Sequence, residues 1–281
     1  MRNPLIISKA SREGPMPLDY MKIVEIAIEA GLSIMDVYDS SDQIEVHSKA
    51  DESPLTKADI AAHMTIIRGL AAIYPDIPVV SEEGTVGDPN QSELAWLVDP
   101  LDGTKEFIKR NGMFTVNIAL MEKAGSGWKP IFGVVHAPTT RTTWFGGIDI
   151  PARKKTDAGT SEISVNDSQP SRVRLVASGS HRSDRDEKFA KDIGDHELVR
   201  MGSSLKACIV AEGSADLYPR FGPTSCWDIA AAHAVVEAAG GLVLSPHCEP
   251  LAYDLVEEVL NPYFLVACST RWNDIWAQNQ D

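Results

Sequence analysis

The stretch Trp96-Leu97-Val98-Asp99-Pro100-Leu101-Asp102-Gly103-Thr104-Lys105-Glu106-Phe107 constrains this chain more than any other. Ala95 to Val98 is an unbroken apolar run and reads as a buried strand. The residues after Val98 suit neither a regular strand nor a helix interior, because Pro100 has no N–H to give. The two aspartates are therefore expected where the strand stops, in a tight turn closed by Gly103 and Thr104. Such a turn can aim the carboxylates of Asp99 and Asp102 and the carbonyl of Leu101 at one point, which is how hard cations are held. A solvated turn would use the same residue types, since Asp, Pro and Gly form turns in their own right.

Size and charge narrow the choice. A chain of 281 residues is long for one core and short for three, so one large domain or two fused halves is expected. No apolar run reaches the roughly 18 residues a membrane span needs. Met1 to Lys9 has no apolar core of signal-peptide length, so a cytoplasmic protein is expected. Cys208, Cys226, Cys248 and Cys268 match neither a CxxC metal knuckle nor a compact disulfide framework, and read as reduced, packed thiols. The net charge of −14 argues against a nucleic-acid polymer as partner, which would want a basic face. It leaves a question. An anionic small substrate would need local positive charge, and divalent cations on clustered carboxylates would supply it.

Taken in order, the chain opens with a helix over Pro17 to Tyr38, where Leu18, Met21, Val24, Ile28, Leu32 and Met35 recur at helical spacing. A short strand over Ile44 to Lys49 comes next. Asp51 then sits in an extended segment, because Pro54 keeps Ser53 out of the helical region. Thr56 with Asp59 three residues on reads as a capping box for a helix over Lys57 to Ile73. Val79 to Ser81 is a strand running into Glu82-Glu83, and two neighbouring strands ending in acids can bring those acids together. Asn111 to Ala137 is a hairpin turning at Gly125-Ser126-Gly127. The polar, basic stretch Asp149 to Ser161 marks the expected boundary between an N-terminal half, 1–155, and a C-terminal half, 156–281. That second half reads as alternating strands and helices. In it, Ser203 opens one helix and Trp227-Asp228 opens another, where an acid suits the helix dipole.

Five acids placed at element ends can converge: Asp51, Glu82, Asp99, Asp102 and Asp228. Carboxylates with a backbone carbonyl and no His or Cys form a Mg²⁺ or Mn²⁺ ligand set rather than a zinc one. The chain has no GxxxxGK[ST], HExxH, GxSxG or CxxC motif, so P-loop, zinc-protease, serine-esterase and dithiol chemistry find no foothold.

Glu82-Glu83, Asp99-Pro100-Leu101-Asp102-Gly103-Thr104 and Trp227-Asp228-Ile229-Ala230-Ala231 together resemble the inositol monophosphatase superfamily of Mg²⁺-dependent, lithium-sensitive phosphatases. Four further segments are similar to the CysQ type of 3′(2′),5′-bisphosphate nucleotidase within it. They are Asp51-Glu52-Ser53-Pro54-Leu55-Thr56, Asp102 to Phe107, Gly202 to Lys206 and Leu217 to Thr224. The resemblance implies an α+β or α/β fold, a layered α-β-α-β-α sandwich whose N-terminal half holds a large, mostly antiparallel sheet. It implies two or three Mg²⁺ ions. Glu82, Asp99 and the Leu101 carbonyl would hold the first, and Asp99, Asp102 and Asp228 the second. Thr104, with Asp51 or indirectly with Glu83, would orient the attacking water. The implied substrate is adenosine 3′,5′-bisphosphate, cleaved to AMP, with the related phosphosulfate as a second substrate. Gly103 and Thr104 would face its reacting phosphate. Ser203, Lys206, Arg220 and His181 would hold the rest of the nucleotide. An inositol monophosphatase, a sugar bisphosphatase and a non-catalytic nucleotide-binding protein are the alternatives on the same scaffold.

Overall fold

The computed structural model describes residues 6–7, 16–40, 46–48, 54–168, 171–177 and 183–280. Two small ribbons come early: β1 (Ile6–Ile7) with β2 (Met16–Pro17), and β3 (Val46–Ser48) with β4 (Pro54–Thr56). Between and after them run α1 (Tyr20–Tyr38) and α2 (Lys57–Ile73). Asp19 caps α1, accepting from the Lys22 N–H at 3.3 Å. Thr56 caps α2, and Asp59 completes a capping box with it. The helices bury Ile23, Ala27, Ala30 and Ile34 on α1 and Ala62, Ile66 and Leu70 on α2; of the α1 residues expected on the buried face Val24 is buried, whereas Met21 and Leu32 are exposed.

The next strands are β5 (Val79–Ser81), β6 (Gly84–Val86) and β7 (Leu94–Asp102), then the short α3 (Thr104–Ile108). They are followed by β8 (Thr115–Ala124), β9 (Gly127–Ala137), β10 (Thr142–Gly147), β11 (Ile150–Thr156) and β12 (Gly159–Glu162). Together these strands form one sheet in the order β12-β11-β10-β9-β8-β7-β5-β6. Only β5 and β7 run parallel; every other neighbour is antiparallel. Successive side chains serve opposite faces. Trp96, Val98, Ile118, Leu120, Phe132 and Val134 face the core under α1 and α2, whereas Ala95, Leu97, Ala119, Met121 and Val135 face the other core.

The stretch expected to divide the halves is instead a hairpin. β11 and β12 extend the large sheet to Glu162, past residue 155. Ile150 and Ala152 are buried, and the lysines that made the stretch look like a linker lie on strands near the sheet edge, where charge discourages further pairing. The changeover between halves falls after Glu162 and before Val173.

The C-terminal half runs β13 (Val173–Ala177), α4 (Asp184–Asp192), β14 (His196–Arg200), α5 (Leu205–Ala211), β15 (Leu217–Arg220), α6 (Ala230–Ala238), β16 (Leu242–Leu244), β17 (Phe264–Ala267) and α7 (Asn273–Ala277). Its five strands order as β14-β13-β15-β17-β16. α6 packs on β9 and β10 of the large sheet and on β16 of the small one, so α5 and α6 form a central helical layer. On the outer side, Phe189 of α4 meets Trp276 of α7 edge-on at 6.0 Å. The layers are α1/α2, eight strands, α5/α6, five strands, α4/α7: an α-β-α-β-α sandwich. Both halves contribute to the second of these cores, in which Leu97 and Val135 cluster with Val210, Val235 and Leu265. The four cysteines are free thiols. Among the described residues no helix is long and apolar enough to cross a membrane.

Candidate active site

The site begins at a break in strand register. β7 does not stop at Asp99. Asp99 pairs with Asn117 of β8 and Asp102 with Thr115, so three steps on one strand match two on the other. This is a β-bulge, and Pro100, which has no N–H for the ladder, sits inside it. The bulge has a geometric consequence. In a regular strand, residues three apart point to opposite faces. The extra residue brings Asp99 and Asp102 to the same side, and Asp99 Oδ1 accepts the Leu101 N–H at 3.0 Å. Gly103, at φ +94°, then turns the chain into α3; a Cβ there would press on the Met113 carbonyl at 3.1 Å.

Two other elements bring acids to the bulge. β5 lies parallel beside β7 with Ser81 opposite Val98, and the Glu82 N–H continues the pairing to the Val98 carbonyl at 3.1 Å. Glu82 thereby reaches hydrogen-bonding distance of Asp99. Asp228 ends a 3₁₀ turn, Cys226–Asp228, in front of α6, and its Oδ2 accepts the Ser225 N–H at 2.9 Å. Carboxylate oxygens of Asp99, Asp102 and Asp228 all lie within 4.8 Å of one another.

Such crowding is costly without a counter-charge. Burial, then Glu82, Asp102 and Asp228, push Asp99 well above the usual carboxylate range. Burial and the Asp102 charge raise Asp228 to about 8. Asp99, Asp102 and Asp228, with Glu82 against Asp99, form an all-oxygen donor set, and divalent cations would relieve the repulsion that the protein itself leaves standing.

Thr104 stands at the first position of α3, with its Oγ1 3.2 Å from Asp59 Oδ1 and 3.3 Å from the Leu101 carbonyl. Both are acceptors, so the hydroxyl proton is committed and a lone pair is left for a further donor. Asp51 lies outside the described residues. Among those described, the carboxylate that meets Thr104 is Asp59, fully buried and held through Oδ2 by the Thr56 N–H at 2.8 Å and hydroxyl at 2.6 Å. In the sequence Asp59 reads only as a helix cap. Its place in the Thr-x-x-Asp box hides a second use of the same side chain.

A cavity of about 820 Å³ opens from Asp102 and Asp228. Gly103, Ser203, Lys206 and Arg220 line it, as expected of a substrate pocket, together with Lys105, Lys109 and Arg200. Lys105 stands in the Asp102–Phe107 segment already singled out, whereas no motif marks Lys109 or Arg200. Ser203 is not the free helix start that the sequence suggests. It sits before α5 with φ +52°, and its hydroxyl lies 2.7 Å from Asp102 Oδ2 and 2.6 Å from Thr115 Oγ1. Lys206 donates from Nζ to the Ser203 carbonyl at 2.6 Å, and burial lowers its pKa. Arg220 donates through Nη2 to the Pro223 carbonyl at 2.8 Å, and its Nε finds no partner among the described residues. His181 lies outside the described residues.

Comparison with known proteins identifies the family. The model of the inositol monophosphatase family matches residues 18–274. The 3′(2′),5′-bisphosphate nucleotidase CysQ of Salmonella typhimurium is 47% identical over 251 residues, covering 87% of this chain and 98% of that protein. The Escherichia coli protein of the same name is 48% identical over 248 residues, covering 88% and 98%. The crystal structure of CysQ from Bacteroides thetaiotaomicron superposes with a TM-score of 0.75 at 38% identity, over 89% of this chain and 97% of that one. With the acid cluster, the bulge and the five layers in place, this chain belongs to the inositol monophosphatase family.

Proposed function

We propose that this protein is a Mg²⁺-dependent phosphatase that removes the 3′-phosphate of adenosine 3′,5′-bisphosphate to give AMP. The related 3′-phosphoadenosine 5′-phosphosulfate is a second substrate of the same site. The observation that carries the reading is the two-signed cavity. In a chain of net charge −14, Asp102 and Asp228 of the acid cluster line a pocket whose walls also carry Lys105, Lys109, Arg200, Lys206 and Arg220, with Glu106 and Asp186 beside them. A substrate anionic at both ends suits this layout, with the reacting phosphate at the acid end and the second phosphate among the cations. The 47–48% identity to proteins named as bisphosphate nucleotidases points the same way.

Glu82, Asp99, Asp102, Asp228 and the Leu101 carbonyl would hold two or three Mg²⁺ ions. When bound, Mg²⁺ supplies Lewis-acid charge against the phosphoryl and leaving oxygens. The protein's own groups do the rest. Thr104 offers its lone pair to one hydrogen of the attacking water and orients it for in-line approach. Asp59 accepts the Thr104 hydroxyl proton and would serve as the base for the proton that the water gives up. Gly103, which has no side chain, leaves room beside the reacting phosphate. Ser203 and Lys206 line the pocket, and Arg220 presents a fork of donors to phosphate or a face to the base.

Phosphate release from adenosine 3′,5′-bisphosphate, inositol 1-phosphate and fructose 1,6-bisphosphate, measured side by side in Mg²⁺, tests the assignment. The bisphosphate nucleotide is expected to have the highest kcat/KM by at least about tenfold, some 1.4 kcal/mol of transition-state preference. A preference for either sugar phosphate would move the protein to another branch of the family. Binding of the nucleotide without phosphate release would make it a non-catalytic binder.

A further inference from the structure

Asn117 is fully buried on β8, directly opposite Asp99, and nothing in its sequence context distinguishes it from a core residue. Its amide is the meeting point of the elements that carry the site. Nδ2 lies 2.9 Å from Ser204 Oγ at the head of α5, 3.4 Å from Asp102 Oδ2 on the β7 bulge, and 3.4 Å from the Trp227 carbonyl in the 3₁₀ turn that holds Asp228. On its other side, Oδ1 accepts from the Thr115 hydroxyl at 2.9 Å, and that hydroxyl touches Ser203.

The net converges on one oxygen. Asp102 Oδ2 receives the Ser204 N–H at 2.7 Å, the Ser204 hydroxyl at 2.8 Å and the Ser203 hydroxyl at 2.7 Å, with Asn117 behind them. The Ser204 hydroxyl also contacts the Asp228 carbonyl, so one side chain touches both acid-bearing segments. Protein donors thus occupy Oδ2 and leave Oδ1 as the Asp102 oxygen available to a cation. A carboxylate rotates freely about its Cβ–Cγ bond unless something holds it. Only an outer ring of donors can decide which oxygen faces the cluster.

We propose that Asn117, acting through Ser204, is a positioning residue. It locks Asp102 with Oδ1 toward the acid cluster and ties the Asp228 turn to the β7 bulge, so the cation site is preformed across three elements. The proposal rests on the cation-binding part of the function argued above, but not on the identity of the substrate. It predicts that loss of the amide appears as a higher Mg²⁺ requirement rather than a higher nucleotide KM. A merely structural asparagine would instead lower the melting temperature and leave Mg²⁺ affinity alone.

The test is a Mg²⁺ titration without nucleotide, by calorimetry or tryptophan emission, on the full chain and on Asn117→Leu and Ser204→Ala. Asn117→Leu keeps the volume and removes the amide. Ser204→Ala removes one hydroxyl, keeps the Ser204 N–H bond to Asp102, and serves if Asn117→Leu fails to fold. Both are expected to weaken Mg²⁺ binding, by about 10–100-fold for Asn117→Leu and by less for Ser204→Ala. Nucleotide KM at saturating Mg²⁺ should stay within about threefold of wild type. Folded variants whose Mg²⁺ affinity stays within twofold of wild type would overturn the proposal. If the cation shift is found but wild type does not hydrolyse the nucleotide, the substrate assignment fails and the positioning role stands. If wild type binds no Mg²⁺ at all, both fall.

Discussion

Asp59 is the third helical residue of α2, where its Oδ2 closes a capping box with Thr56, while its Oδ1 faces Thr104 from 45 residues away. One carboxylate thus anchors a helix and touches the reactive turn, and the two uses can be separated. Asn in its place retains an acceptor for the cap but is far less basic than a carboxylate. Asp59→Asn is expected to lower kcat by about 10²–10⁴-fold, the range for a lost general base. The melting temperature should fall by only a few degrees, since a cap contributes about 1 kcal/mol. Steady-state kinetics with a thermal melt checks this; an unchanged kcat would remove Asp59 from the water-orienting role. At this scale much of the site was legible. Glu82, Asp99, Asp102 and Asp228 stand in recognisable strings. Asp59 and Asn117 do not, because each satisfies an ordinary local role that accounts for it without remainder.

At the scale of elements, the β7 bulge and the seating of α6 matter most. The bulge faces Asp99 and Asp102 the same way, and α6 carries the turn with Asp228. α6 approaches β9 at Gly133, where a Cβ would run into the carbonyl of Ala231. That is backbone against backbone, so no side-chain rotation relieves it. Gly133→Ala is expected to destabilise the protein by about 1–3 kcal/mol as α6 lifts from the sheet. Because the Asp228 turn moves with α6, Mg²⁺ affinity should fall as well. Urea unfolding and a Mg²⁺ titration on the same variant test the link; lost stability with unchanged Mg²⁺ affinity would show that the turn is held independently of the helix. The close approach has no signature in the chain, since Gly133 reads as any strand glycine.

For the whole molecule, acid sensitivity is written into the core. His136 of β9 is buried beneath α1, with Nδ1 2.8 Å from Thr143 Oγ1 and its ring against Gly31. Burial lowers its pKa to about 4, from an ordinary value of about 6.5. Between those values the unfolded chain binds a proton that the folded protein refuses. The stabilising effect of a neutral His136 is therefore complete above about pH 6.5 and is lost as pH falls toward 4. A shift of this size corresponds to about 3 kcal/mol, a substantial share of a typical folding free energy of about 5–15 kcal/mol. Denaturant titrations at several pH values should show wild-type stability falling across this window. His136→Gln should remove most of that slope. A variant with the same slope as wild type would place the acid sensitivity elsewhere.

The sequence by itself determined the class of fold and the family. Those depend on local patterns: alternation and helical spacing, a proline between two aspartates, and short strings kept in order. Only the tertiary structure decided which face each aspartate takes, that Asp59 meets Thr104, and that the Asn117 amide lies beside Asp102. It also showed that the basic stretch after Asp149, expected as the boundary between halves, is part of the large sheet. These depend on pairing register and on contacts between residues tens of positions apart, such as Asp59 with Thr104 and Asn117 with Ser204. The Asp99–Phe107 turn could announce itself in one dimension because its chemistry is local. The partners that orient it could not, because only the folded chain brings them within a hydrogen bond of one another.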